Sequence, residues 1–206
     1  MKKRSIGRPE KNILNQDKII TAALDLIDKN GVSNLSMREL AKNLKVDPMA
    51  IYHYLPNKES LLHEIVIYIF QSLDTSLQYP NNWKKQVKFL LNNYRNLVKK
   101  HPNLIYFILT EPAYSTKPSL ELNEKLFYFV SLSNLSKQKS ILLGNLLVDY
   151  LHGFSLAENT MTGEIEPFSI EENGDYPHFA EAINFNLNKK DSLFETTIDF
   201  ILSSFE

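Results

Sequence analysis

Cysteine is absent from the 206 residues. That excludes a disulfide framework, a thiolate zinc site, an iron–sulfur cluster and a cysteine nucleophile, and it predicts a cytoplasmic protein. Long apolar runs are also missing. The longest, Ile65 to Phe70, is far short of the roughly 20 residues a spanning helix needs. Lys2, Lys3 and Arg4 have no apolar stretch behind them, so the start of the chain does not read as a secretory signal. Glycine is scarce, with 6 residues, and no alternation of strand type persists for any length. The five histidines, at positions 53, 63, 101, 152 and 178, have no ligand spacing, so no metal site or cofactor is expected. Nucleophile-elbow, zinc-helix and phosphate-loop motifs are all absent, which argues against an enzyme. What is present is a normal globular mixture, 43% hydrophobic and 23% charged.

The net charge of −1 conceals an asymmetry. Residues 1–58 carry a formal charge of +5 and residues 59–206 carry −6. A basic end on an acidic body suits an end that meets a polyanion, although a solvated mixed surface has the same composition.

Helical periodicity dominates the chain. Ile19, Ile20, Ala23, Leu24 and Ile27 form one stripe between about Gln16 and Asn30, closed by Gly31. Ser36 and Glu39 have capping-box spacing at the head of a second short helix through Leu44. Lys45 and Val46 make a turn. Asp47 then caps a third helix with Pro48 at its first position. Pro56 and Asn57 break it, and a long helix is predicted from Lys58 to Ser76. Further stripes begin at Trp83, at Pro102, over Leu120–Leu132, around 140–157 and over 191–204. Residues 161–177, with two glycines, two prolines and five acids, read as an acidic loop. The expectation is an all-α fold of nine or ten helices. Residues 1–58 form an arm and a helix-turn-helix domain, and residues 59–206 form a helical ligand-binding and dimerisation domain.

A helix pair with a tight turn occurs in many helical proteins and decides little alone. From Asp17 to Leu62, however, the chain resembles the DNA-binding domain of the tetracycline-repressor (TetR) family. Ala-Ile-Tyr-His-Tyr-Leu-Pro-Asn-Lys-Glu-Ser-Leu-Leu, from Ala50 to Leu62, is the specific part, and Gly7-Arg8-Pro9 ahead of it is common in the arms of that family. A weaker similarity to the body of the tetracycline-repressor branch extends past Trp83 to Phe205. The resemblance implies a homodimeric regulator, a repressor, that binds a palindromic operator and answers to a small-molecule effector. It implies phosphate contacts for Tyr52 and Lys58 and a base contact for Arg38. Lys45 and His53 join these as candidate DNA contacts. Pro48, Met49 and Ala50, at the head of the third helix, carry no side-chain hydrogen-bonding group and can only meet thymine methyls. Lys2, Lys3, Arg4 and Arg8 would follow the backbone or the minor groove, or form a disordered basic tail.

Candidate ligand contacts are Tyr94, Phe107, Glu111, Phe127, Tyr150, Phe154 and Glu158. Aromatic residues at helical spacing serve equally as core, and both glutamates can face solvent. Two histidines with which the tetracycline branch grips a drug–magnesium complex align with Phe107 and Tyr150, and an acid replaces arginine in Thr110-Glu111-Pro112. These departures argue against tetracycline–magnesium. The aromatic and acidic set suits a small hydrophobic molecule, aromatic or cationic. Two other readings remain: a protein of the same fold controlled by a partner protein, and a helical ligand carrier with a vestigial basic end.

Overall fold

The computed structural model describes residues 14–110, 116–160, 176–188 and 190–205. Among the described residues there are ten α-helices and no strand, in two compact units, Met1–Tyr68 and Ile69–Glu206.

In the first unit, α1 (Gln16–Asn30) starts at Asn15, whose side chain accepts the Lys18 N–H at 2.9 Å. It ends at Gly31, which has φ 80° and donates its N–H to the Ile27 carbonyl at 2.8 Å. The predicted stripe is the buried face of α1. After one 3-10 turn, Val32–Asn34, α2 (Met37–Leu44) begins where the Ser36 hydroxyl accepts the Glu39 N–H at 3.1 Å. Lys45 leaves α2 in the left-handed conformation, φ 56° and ψ 42°. Asp47 accepts the Met49 N–H at 2.8 Å and starts α3 (Pro48–Tyr52). Ile51 and Leu55 are buried beneath α3, while the Tyr54 hydroxyl reaches out to the Leu14 carbonyl at 2.8 Å.

The next helix, α4 (Lys58–Gln71), stops short of the predicted Ser76. Ser72 donates to the Ile69 carbonyl at 2.6 Å, and the Asp74 carboxylate accepts both the N–H and the hydroxyl of Ser76 at 2.9 and 2.5 Å. Such local side-chain bonds offer the backbone an alternative to the helical ladder. Fully buried Gln86 then fixes the path onward. Its carbonyl oxygen accepts the Gln78 and Tyr79 N–H groups and its amide donates to the Ser76 carbonyl.

The second unit contains α5 (Trp83–Lys100), α6 (Pro102–Thr110), α7 (Lys117–Ser131), α8 (Lys137–Thr160), α9 (Pro177–Asn188) and α10 (Lys190–Ser203). Here α8 is central and packs on α5, α6, α7 and α10. Gly144 permits the crossing with α7, because a Cβ there would collide with the Phe127 ring. Leu143, Leu147 and Leu151 bury one face of α8, whereas Ile141, Leu142 and Leu146 on the other stay exposed. Over Lys137–Glu158, α8 is long and apolar enough to cross a membrane by length and composition alone. No uninterrupted apolar run in the sequence shows this. The stretch carries Asp149 and His152, and Glu158 is ion-paired to Arg95 of α5. The predicted acidic loop ends where α9 begins, with Pro177 at its first position; 161–175 lie outside the described residues.

Candidate functional site

The turn between α2 and α3 presents one exposed edge of the first unit. Arg38 near the start of α2, Lys45 at the turn, and Met49, Tyr52 and His53 on α3 are all exposed, with Met49 at 62%. Pro48 and Ala50 are half-buried. Lys58 is different. It is half-buried, and its ammonium donates to the Val32 carbonyl at 2.9 Å, pinning the head of α4 to the α1–α2 connection. An ammonium has three donors, so this bond leaves two for another acceptor. The basic arm at 1–13 lies outside the described residues.

Lys45 supports a prediction with two readouts. A non-glycine residue in the left-handed region is strained by about 1–2 kcal/mol, partly offset by the entropy glycine loses on folding. Lys45→Gly should stabilise the first unit by about 0.5–1 kcal/mol in urea denaturation. If Lys45 meets phosphate, the same change lowers the salt dependence of DNA binding by about one unit.

The second unit holds a cavity of about 320 Å³. Its walls are mostly apolar: Phe70, Leu90, Leu91, Ile108, Leu126 and Leu151 take part. Tyr94, Ser119, Asn123 and His152 add polar groups. Burial pushes the Tyr94 hydroxyl well above its ordinary range, so it stays protonated. Burial likewise lowers the His152 imidazole, against the opposing charge of Asp149.

Of the candidate ligand residues, only Tyr94 lines this cavity among the described residues. Phe127 lies against Gly144 in the α7–α8 crossing, and Phe107 is half-buried on α6. Glu111 lies outside the described residues. Tyr150, Phe154 and Glu158 gather instead around a residue that sequence reasoning missed, Arg95. Its guanidinium grips Glu158 through two bonds, 2.9 and 2.5 Å, and lies 5.2 Å and 4.7 Å from the ring centres of Phe154 and Phe194. Tyr150 stacks on Phe194 at 5.8 Å. Burial pushes the Glu158 carboxyl up, but the hydrogen bond and charge of Arg95, joined by Lys99, outweigh this and hold it below the usual range. Glu158, expected as a possible acidic partner for a cation, is thus already neutralised by Arg95. The missed signal was an arginine inside the α5 apolar stripe, next to Tyr94 and with an acid on a later apolar helix.

The comparisons with known proteins agree with this architecture. Residues 19–65 match the family described as bacterial regulatory proteins, tetR family, and residues 78–206 match the tetracyclin repressor-like C-terminal domain. The chain belongs to the TetR family. A relative named HTH-type transcriptional regulator, from Saccharopolyspora erythraea, is 25% identical over 74% of this chain and 66% of its own length. HTH-type transcriptional repressor DrrR1 from Streptomyces coeruleorubidus is 26% identical over 52% of this chain and 40% of its own. The chain therefore spans less than two thirds of the length of these curated relatives. The crystal structure of ActR from Streptomyces coelicolor in complex with actinorhodin shares the fold, with a TM-score of 0.69, 21% identity and 94% and 97% of the two chains covered. So does BioQ with its double-stranded DNA operator, with a TM-score of 0.60, 22% identity and 73% and 90% covered.

Proposed function

We propose that this TetR-family chain is a ligand-responsive repressor, a homodimer that leaves a palindromic operator when a small hydrophobic molecule occupies the second unit. The cavity of about 320 Å³ carries the ligand-responsive part, since it lies within the range of roughly 300–1,000 Å³ usual for small-molecule sites. Residues 1–58 supply the DNA contacts and residues 59–206 supply ligand binding and dimerisation. Arg38 reads a base, Tyr52, Lys45 and Lys58 meet phosphate, and Pro48, Met49, Ala50 and His53 face the groove floor. The relative names and the operator-bound and ligand-bound neighbours support this assignment.

Exposed apolar side chains on α8 and α10 support the dimer. Leu142 on α8 and Phe200 on α10 are 61% and 71% exposed in the single chain. Exposed large apolar side chains of this kind mark an interaction surface, and an isologous two-fold pairing covers them with their own copies. A two-fold dimer presents two recognition helices to half-sites one helical turn apart. Switching then needs only that the ligand bind better to the shape that does not match this spacing.

Operator release against a panel of hydrophobic aromatic compounds tests the reading. Compounds that raise the melting temperature should also lower operator affinity. Binding that leaves operator affinity unchanged favours control by a partner protein instead.

A further inference from the structure

Resting on the reading of the cavity as the effector site, we infer that its occupant is an uncharged, largely apolar molecule bearing a hydrogen-bond acceptor, such as a ketone, that takes the proton of Tyr94. Tyr94 is 4% exposed and lines the cavity. Its ring is held by Phe70 at 6.3 Å and His152 at 5.8 Å, yet among the described residues nothing hydrogen-bonds its hydroxyl. The hydroxyl is therefore a donor open to the cavity with no protein acceptor among the described residues. An acceptor arriving there can take its proton, and polar groups in protein interiors are generally paired in this way.

The other polar groups narrow the class further. Ser119 is committed to the head of α7, accepting the Thr116 N–H at 2.9 Å and donating to the Thr116 carbonyl at 2.7 Å. The Asn123 amide donates to the Ser119 carbonyl at 3.0 Å, which leaves its oxygen as an acceptor. Apart from His152, no titratable side chain other than the Tyr94 phenol lines the cavity among the described residues. Arg95 and Glu158 neutralise each other outside it. Among the described residues a buried cation would find no carboxylate in the lining and a buried anion no fixed positive charge, and an uncompensated buried charge is strongly unfavourable.

Four probes of one shape separate these possibilities: fluorenone, fluorene, fluorene-9-carboxylate and protonated 9-aminofluorene. Affinity for the full-length protein is measured by calorimetry, and operator release by fluorescence anisotropy. Fluorenone should bind about tenfold tighter than fluorene, the worth of one well-made hydrogen bond. The two charged probes should bind no better than fluorene. Tyr94→Phe removes only the unpartnered hydroxyl, so it should erase the fluorenone advantage and leave fluorene unchanged. An equal fluorenone advantage in Tyr94→Phe, or tighter binding by either charged probe, overturns the inference while leaving a ligand-responsive regulator intact. Failure of all four to bind overturns the cavity as an effector site, and the proposed function with it.

Discussion

Arg95→Ala should lower the stability of the second unit by about 3–5 kcal/mol in urea denaturation, the usual cost of removing one partner from a buried ion pair. Both side chains are about nine-tenths buried, so the change leaves the Glu158 carboxylate in a poor solvent, answered among the described residues by Lys99 alone, 3.5 Å away and half exposed. The cation–π contacts to Phe154 and Phe194 are lost as well. Replacing both partners, as Arg95→Met with Glu158→Leu, should recover most of the loss, because a buried pair and an apolar filling of similar volume are close in energy. The pH dependence has a definite sign. The Glu158 pKa is lowered on folding, so its contribution is fully present above the ordinary value of 4.5 and is lost as pH falls through the lower folded value. The stability gap between the natural protein and Glu158→Gln should therefore close in acid. A loss below about 1 kcal/mol for Arg95→Ala would mean that the pair behaves as a surface one.

Leu142→Asp combined with Phe200→Asp should produce a monomer at micromolar concentration and weaken operator binding by about 10²–10⁴-fold, the gain that linking two binding modules provides. Both side chains are already exposed in the single chain, so the substitutions leave the core of each unit untouched. Sedimentation velocity reads the assembly, and binding to a single half-site serves as the control, since it should change little. A variant that stays dimeric would place the interface elsewhere.

The helical plan could be read from sequence because most helices carry their own boundary signals. Asn15, Ser36 and Asp47 each cap the helix that follows. Gly31 and the Pro102 that opens α6 likewise fall where their backbone chemistry requires. Helix α4 is shorter than its apolar pattern predicts because Ser72, Asp74 and Ser76 end it by side-chain bonding that leaves no periodic trace. Helix α9 is hard to see in sequence because it is short and directly follows a stretch rich in acids, glycine and proline. The exposed edge of α2 and α3 was legible because a local motif builds it. The cavity was not, because it arises where α5, α6, α7 and α8 meet and most of its walls are ordinary leucines. Tyr150, Phe154 and Glu158 do come together, but around Arg95. An arginine on an apolar stripe reads as an exception to the pattern, and only the fold reveals that an acid and two rings surround it.

Selection from a random double-stranded pool asks whether the α2–α3 edge reads DNA sequence. The natural protein should enrich one palindrome with half-site centres about 34–36 Å apart. Arg38→Ala should bind the same palindrome with selectivity relaxed at one base pair per half-site, corresponding to about 1–3 kcal/mol of lost discrimination. Failure of the natural protein to enrich any sequence, or an Arg38→Ala variant with unchanged affinity and selectivity, would contradict the account.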